Sequence, residues 1–326
     1  MLQELQARLG PGVKEKEPLA PHTTFKIGGP ADYFFAAATG AEVIKAVRAA
    51  TELKLPYYVL GGGSNVLVAD EGLRALVILM ANRGIVIDGT RATVEAGATP
   101  GLVAQKTAAA GLTGFEWAVG LPGTIGGAIR GNAGMWGPEM KDSVVAVRVL
   151  KDGAEQSLTN ADCQFGYRDS RFKHETGWVI LEAVLQLQAS PDPAKSQALL
   201  TKYLLDKKER QPVELPSAGC MFKNWRPPGP AELEELHHLF DLGKDETVPL
   251  TSQGTIPTGW IIDRLGFKGF KVGHAMMSEK HANFLVTDGH ADAGDVIGLA
   301  SAVKMKVRNA TEGIIQLEEE VEYVGF

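Results

Sequence analysis

The residues best suited to chemistry fall in five short stretches of this chain. Gly61-Gly62-Gly63-Ser64-Asn65 and Gly120-Leu121-Pro122-Gly123-Thr124-Ile125-Gly126-Gly127 are glycine-rich loops. Consecutive glycines after a strand can turn several backbone N–H groups toward one point and form a nest for phosphate. Neither loop fits Gly-x-Gly-x-x-Gly or Gly-x-x-x-x-Gly-Lys-Ser/Thr, which argues against a Rossmann domain and a P-loop nucleotidase. Tight turns use glycine too, but two such loops in one half of the chain favour a diphosphate ligand. Tyr167-Arg168-Asp169-Ser170-Arg171 offers a guanidinium that can grip a carboxylate or phosphate with two prongs, or pair with Asp169 at the surface. Cys220 follows the small residues Ala218 and Gly219, so its thiol can face a cleft, although a lone cysteine also serves as a small core residue. Toward the C-terminus, alternation sets Glu318, Glu320 and Glu322 opposite Leu317, Val321 and Tyr323; for any single one of them a solvated acidic face is the favoured reading. Residue types alone do not choose among the three glutamates. The seven histidines contain no His-x-x-x-His pair, and His237 and His238 are neighbours that point apart on a helix, so no metal site is expected.

The elements that must carry these stretches are legible as patterns. A strand at Tyr57–Leu60 leads into the triple glycine, with Val66–Val68 after it. Ala41–Leu55 has Val43, Ala46, Val47, Ala50 and Leu53 on one helical face. Leu76–Met80, Ile85–Ile87, Ala92–Ala96, Val144–Leu150 and Val179–Leu187 read as strands, and a helix opens at Thr99-Pro100 and closes at Gly111. A helix over Pro193–Arg210 stops at Gln211-Pro212, where a domain boundary is expected. Beyond it, Ala231–Leu242, Thr258–Leu265 and Asp292–Asn309 read as helices and Asn283–Thr287 as a strand. Ile314–Val324 reads as a closing strand of strict period two. The pattern is α+β, without internal repeats.

Composition limits the classes available. With 326 residues, the chain is long enough for about two domains. Its 44% hydrophobic and 22% charged residues are those of an ordinary globular protein. The 38 glycines exceed the usual share of about 7%, and eleven of them lie between Gly97 and Gly137. The longest uncharged run, Thr247 to Ile262, has 16 residues and contains two prolines, so no membrane span is expected. The start, Met1-Leu2-Gln3-Glu4, does not read as a signal peptide. Cys163 and Cys220 form no Cys-x-x-Cys pair, which suits a reducing cytoplasm. A net charge of −6 argues against nucleic acid as the main partner.

Together, these motifs resemble one family, the UDP-N-acetylenolpyruvoylglucosamine reductases (MurB). The resemblance rests on the joint order of several pieces. They are His22-Thr23-Thr24-Phe25-Lys26-Ile27-Gly28-Gly29, the two glycine loops, Asn132-Ala133-Gly134 and Tyr167-Arg168-Asp169-Ser170. The rest are Ala218-Gly219-Cys220-Met221-Phe222-Lys223-Asn224, Gly259-Trp260-Ile261-Ile262-Asp263, Lys268-Gly269 and Leu317-Glu318-Glu319-Glu320-Val321. The likeness spans residues 22 to 325.

The resemblance implies a vanillyl-alcohol-oxidase-type (PCMH-like) FAD-binding domain over 22–190, in two α+β lobes split near 80–90. It further implies a linking helix over 191–211, an α+β substrate-binding domain over 212–311, and a C-terminal strand over 312–326 that returns Glu320 to the active site. The implied protein is a cytoplasmic enzyme of peptidoglycan synthesis, a monomer or weak oligomer without membrane or nucleic-acid partners. It holds FAD non-covalently, takes hydride from NADPH and reduces UDP-N-acetylglucosamine enolpyruvate to UDP-N-acetylmuramate. Gly61, Gly62, Gly63, Ser64, Asn65, Gly120, Gly123, Thr124, Ile125, Gly126, Gly127, Asn132, Ala133 and Gly134 are then expected around FAD. Arg168, Arg210, Lys223 and Asn224 are expected around the substrate. Arg168 would hold the enolpyruvyl carboxylate, and Glu320, with a raised pKa, would stabilise the enol-like intermediate. Cys220 stands where the family has a serine proton donor, and a thiol is much the stronger acid. Glu319 and Glu322 depart from the family's usual Pro and Arg. The 51 residues between Arg168 and Cys220 are too few for the tyrosine-bearing lid of one subclass and point to the lidless one. The 34 residues between Asn224 and Gly259 resemble the longer form instead.

Overall fold

A computed structural model describes all 326 residues. The chain opens with helix α1 (Leu2–Leu9) and strands β1 (Lys14–Pro18) and β2 (Pro30–Ala37), followed by α2 (Gly40–Glu52), β3 (Tyr57–Leu60), β4 (Val66–Val68) and β5 (Leu73–Met80). β1, β2, β5 and β3 lie side by side in that order, with β2, β5 and β3 parallel and β1 antiparallel at the edge. The parallel strands need apolar residues on both faces, and β5 is accordingly buried at nearly every position. Thr39 starts α2 by accepting the Glu42 N–H at 3.2 Å, and Val43, Ala46, Val47 and Ala50 turn toward the core. The sheet thus begins before residue 22. β1 is the run Lys-Glu-Lys-Glu-Pro, an exposed edge strand whose charges hide its β character.

A second lobe holds β6 (Ile85–Asp88), β7 (Arg91–Glu95), α3 (Pro100–Ala109), β8 (Leu112–Thr113), α4 (Ile125–Arg130), β9 (Val144–Lys151), β10 (Ala154–Thr159), α5 (Arg171–His174), β11 (Trp178–Gln186), β12 (Gln188–Ala189) and α6 (Pro193–Arg210). Its antiparallel sheet runs β10-β9-β11-β7-β6. Val94, Val147, Val149, Leu181 and Leu185 bury one face of that sheet with Val103, Ile125 and Ile129, in a core shared with α2. The third lobe contains α7 (Pro230–Leu239), α8 (Thr258–Arg264), β13 (Lys271–Val272), β14 (Ala275–Met277), β15 (Leu285–Thr287) and α9 (Ala293–Ala310). Its core packs Val296, Leu299, Ala300, Val303 and Val307 of α9 against Met277 and Leu285, and also takes in Phe25, Ile27 and Leu67 from the first lobe. The fold class is α+β, as the patterns predict.

The C-terminus departs from expectation. Only β16 (Glu322–Val324) is a strand, parallel to β4 with Glu322 opposite Val66. The preceding residues are laced to the Cys220–Lys223 segment instead: Glu320 N–H donates to the Met221 carbonyl at 2.8 Å, and Lys223 N–H to the Glu318 carbonyl at 2.9 Å. The chain changes partner near Val321, so the period slips, leaving Tyr323 exposed and Val324 buried.

Candidate active site

One cleft of about 1060 Å³ lies where the three lobes meet. That is at the top of the range for a single small-molecule site and has room for a cofactor and a second ligand. Its floor is the two glycine loops packed back to back. A methyl group on Gly61 would stand 2.5 Å from Thr124 Oγ1, and one on Gly62 would stand 2.5 Å from Gly123 Cα. Gly63 has φ +58 and approaches the His22 carbonyl. These contacts are open only to glycine. The backbone N–H groups of Gly61 to Asn65 and Thr124 donate to no other group in the chain. Unpaired N–H groups on a glycine floor fit the diphosphate of a dinucleotide cofactor such as FAD.

Of the residues expected around FAD, Gly61 to Asn65, Thr124, Gly127, Ala133 and Gly134 face the cleft. Six predicted residues do not line it. Gly120 gives its carbonyl to the Lys207 ammonium. Gly123 is wedged between Gly62 and Ser64. Ile125 is wholly buried, and its N–H donates to the Ala98 carbonyl. Gly126 N–H is likewise used by the Ala96 carbonyl at 2.8 Å. Asn132 is buried with φ +41; its amide donates to Glu139 and the Gly166 carbonyl and accepts from the Lys141 N–H. These residues hold the floor from beneath. Lys223, expected at the substrate, turns outward and pairs with Glu318.

Arg168, Cys220 and Glu320 share one wall of the cleft. Arg168 Nη2 donates to the Gly134 carbonyl at 3.0 Å, and its Nε lies 3.0 Å from Glu320 Oε1 without being aimed at it. Burial drives the Glu320 carboxyl above its ordinary range, and Arg168, Lys173 and Lys223 oppose that rise. Burial and the Glu320 charge push the Cys220 thiol up to about 12, while Arg168 and Asn283 pull it down. Cys220 therefore stays a thiol. Two amides fix this wall. Asn65 donates to the Glu320 carbonyl at 2.9 Å, tying the first glycine loop to the C-terminal segment. Asn283, fully buried, accepts from the Phe222 N–H at 3.1 Å and donates to the Phe222 carbonyl at 2.8 Å.

Arg210 and Asn224 also reach the cleft. Arg210 lies over the Trp136 ring at 5.6 Å, beside the Trp136–Tyr203 stack. Asn224 donates its N–H to the Tyr167 hydroxyl at 3.3 Å, and its side chain accepts from the Thr258 N–H. Several lining residues escaped sequence reasoning: Tyr58, Arg130, Lys173, Lys207, Gln253 and His281. Only Lys173 carried a usable signal, its position three residues after Ser170 in the motif that bears Arg168. Gln253 reaches across the cleft from the third lobe to Glu139 at 2.9 Å. No helix is long and apolar enough to cross a membrane, and no cluster of His, Cys, Asp and Glu is shaped for a metal ion.

Against known proteins, residues 211–324 match the family model for the C-terminal domain of UDP-N-acetylenolpyruvoylglucosamine reductase, and residues 31–158 match an FAD binding domain. The UDP-N-acetylenolpyruvoylglucosamine reductase of Synechococcus sp. (strain JA-3-3Ab) is 36% identical over 322 residues, covering 98% of this chain and 93% of that one. The same reductase of Bacillus velezensis is 35% identical over 328 residues, covering 100% of this chain and 98% of the relative. The crystal structure of UDP-N-acetylenolpyruvylglucosamine reductase (MurB) from Thermus caldophilus superposes with a TM-score of 0.75 at 32% identity, over 95% of this chain and 98% of that chain.

Proposed function

The chain belongs to the UDP-N-acetylenolpyruvoylglucosamine reductase family. On that premise we propose that it reduces UDP-N-acetylglucosamine enolpyruvate to UDP-N-acetylmuramate with NADPH as hydride source, in a step of cell-wall synthesis. The observation that carries this reading is the convergence of Arg168, Cys220 and Glu320 on one wall above a floor of unpaired backbone N–H groups. The loops Gly61–Asn65 and Thr124–Gly127 would hold FAD on that floor, and FAD would supply the means of passing hydride from a reduced nicotinamide to the enolpyruvyl β-carbon.

The remaining work falls to the side chains. Arg168 has N–H groups left after binding the Gly134 carbonyl, enough to clamp the substrate carboxylate where negative charge gathers as the β-carbon is reduced. Glu320, kept above the usual carboxylate range by burial, can carry a proton and donate to that developing charge. Cys220 Sγ–H holds its proton until the far more basic α-carbon takes it, and the thiolate then regains a proton from water. The sum is one hydride and one proton added across the double bond, with NADP released. Arg210 and Asn224 stand at the part of the cleft that would receive the nucleotide sugar. Two free cysteines, Cys163 and Cys220, suit a cytoplasmic location.

The purified protein should be yellow, bleach with NADPH and recover on addition of UDP-N-acetylglucosamine enolpyruvate. Cys220→Ala should still bleach, with reoxidation by that substrate at least about 100-fold slower, the scale of a lost general acid. A colourless protein that cannot be loaded with FAD refutes the reading. Unchanged single-turnover reoxidation in Cys220→Ala refutes the proton-donor assignment.

A further inference from the structure

Lys173 is a part-buried cation in the wall of the cleft. It reaches in from the short helix α5, and burial pulls its proton affinity down while Glu322 and Glu320 sustain its charge. It makes no ion pair within 4.0 Å, because Glu322 is committed to Arg130 and Glu320 lies against Arg168. Its single hydrogen bond is to a neutral partner: Nζ donates to the Arg168 carbonyl at 2.9 Å. Withdrawing an ammonium from water for one carbonyl is costly, so the carbonyl it holds deserves an explanation.

That carbonyl belongs to a strained residue. Arg168 has φ +53, the left-handed region that a long side chain seldom adopts. The turn around it is closed by two bonds, Gly166 N–H to the Asp169 carbonyl at 2.9 Å and Asp169 N–H to the Gly166 carbonyl at 3.3 Å. Ser170 Oγ anchors its far side on the Arg130 carbonyl at 2.7 Å. None of these touches Arg168's own carbonyl; Lys173 alone does. We propose that Lys173 is a positioning residue, whose ammonium pins the Arg168 carbonyl and so holds the left-handed turn that aims the guanidinium at the substrate carboxylate.

This inference rests on the function proposed above, and a double-mutant cycle read by half-reaction separates the two. Lys173→Met should lower the single-turnover rate of flavin reoxidation by UDP-N-acetylglucosamine enolpyruvate at least tenfold. It should leave flavin bleaching by NADPH, which carries no carboxylate to clamp, within twofold. Lys173→Arg, which keeps a charged donor, should recover most of the loss. In an Arg168→Ala background, Lys173→Met should change the reoxidation rate by less than twofold, since the group it positions is gone. If Lys173→Met does not hold flavin, Lys173→Gln runs the same cycle. A tenfold effect that persists without Arg168 overturns the proposal, because Lys173 then acts directly. Equal slowing of both half-reactions overturns it as well, as a merely structural role would. If the parent protein itself fails to reduce the nucleotide, the functional reading falls instead.

Discussion

Gly62 and Gly127 both face the cleft, yet the structure assigns them different reasons for being glycine, and alanine at each position separates the two. A Cβ on Gly62 would sit 2.5 Å from Gly123 Cα, where ordinary contacts run 3.4–4 Å, so the loops must part by about an ångström. Gly62 lies outside the left-handed region, so the penalty is steric and resembles overpacking, about 1–3 kcal/mol. At about 1.5 °C per kcal/mol for a chain of 326 residues, the melting point of Gly62→Ala should fall by about 1.5–4.5 °C even without cofactor. A Cβ on Gly127 meets nothing nearer than Thr124 Oγ1 at 3.6 Å. Gly127 is in the first turn of α4, where alanine is favoured over glycine by up to about 0.5–1 kcal/mol. The flavin-free Gly127→Ala protein should therefore melt no lower than the parent. Gly127 lines the floor read as taking the cofactor's diphosphate, so the variant's FAD affinity should nonetheless drop at least tenfold, or about 1.4 kcal/mol. Scanning fluorimetry of the flavin-free proteins and titration of FAD by fluorescence quenching measure both quantities. Parent-like FAD binding by Gly127→Ala, or parent-like melting of Gly62→Ala, refutes the reasoning.

Three further outcomes can be measured directly. Asn283→Ala leaves the Phe222 N–H and carbonyl unpaired in the interior, so stability should fall by about 2–5 kcal/mol in denaturant titration, and a loss under 1 kcal/mol contradicts the bracing role. Cys220, its thiol pushed up to about 12, should react with iodoacetamide at pH 8 more than about a hundredfold more slowly than a free cysteine of pKa about 8.5; comparable rates mean the thiol is not held protonated. Glu320 keeps its proton to higher pH when folded than when unfolded, so its contribution to stability declines as pH rises from its ordinary value of 4.5 through the folded value. Glu320→Gln removes that decline. The melting difference between variant and parent should move in the variant's favour between pH 4 and pH 7, and a constant difference contradicts the raised carboxyl.

Some elements were readable because their pattern is local. α6 spans Pro193–Arg210, bounded by Asp192 as cap and Pro212 as stop, and β3 spans Tyr57–Leu60 just ahead of three glycines. The edge strand β1 was not readable, since its charged run pairs only because β2 lies beside it. The end of the chain reads as one strand because its apolar residues alternate, but its hydrogen bonds go to two different partners, and no local pattern shows where the exchange occurs.

The sequence by itself determined the glycine loops, the residue types able to clamp a carboxylate and give up a proton, and, through their joint order, the family. Each is a property of residues near one another in the chain or of motif order. The tertiary structure decided which of those residues face the cleft. Ile125, Gly126 and Asn132 share motifs with Thr124, Gly127 and Ala133, yet their polar groups are spent on Ala98, Ala96 and Gly166 from elsewhere in the fold. It also decided the charge states, because raising the Cys220 thiol takes burial and the charge of Glu320, 100 residues further along the chain. Burial and electric fields depend on distance through space, and the order of residues does not contain that distance until the lobes close on one another.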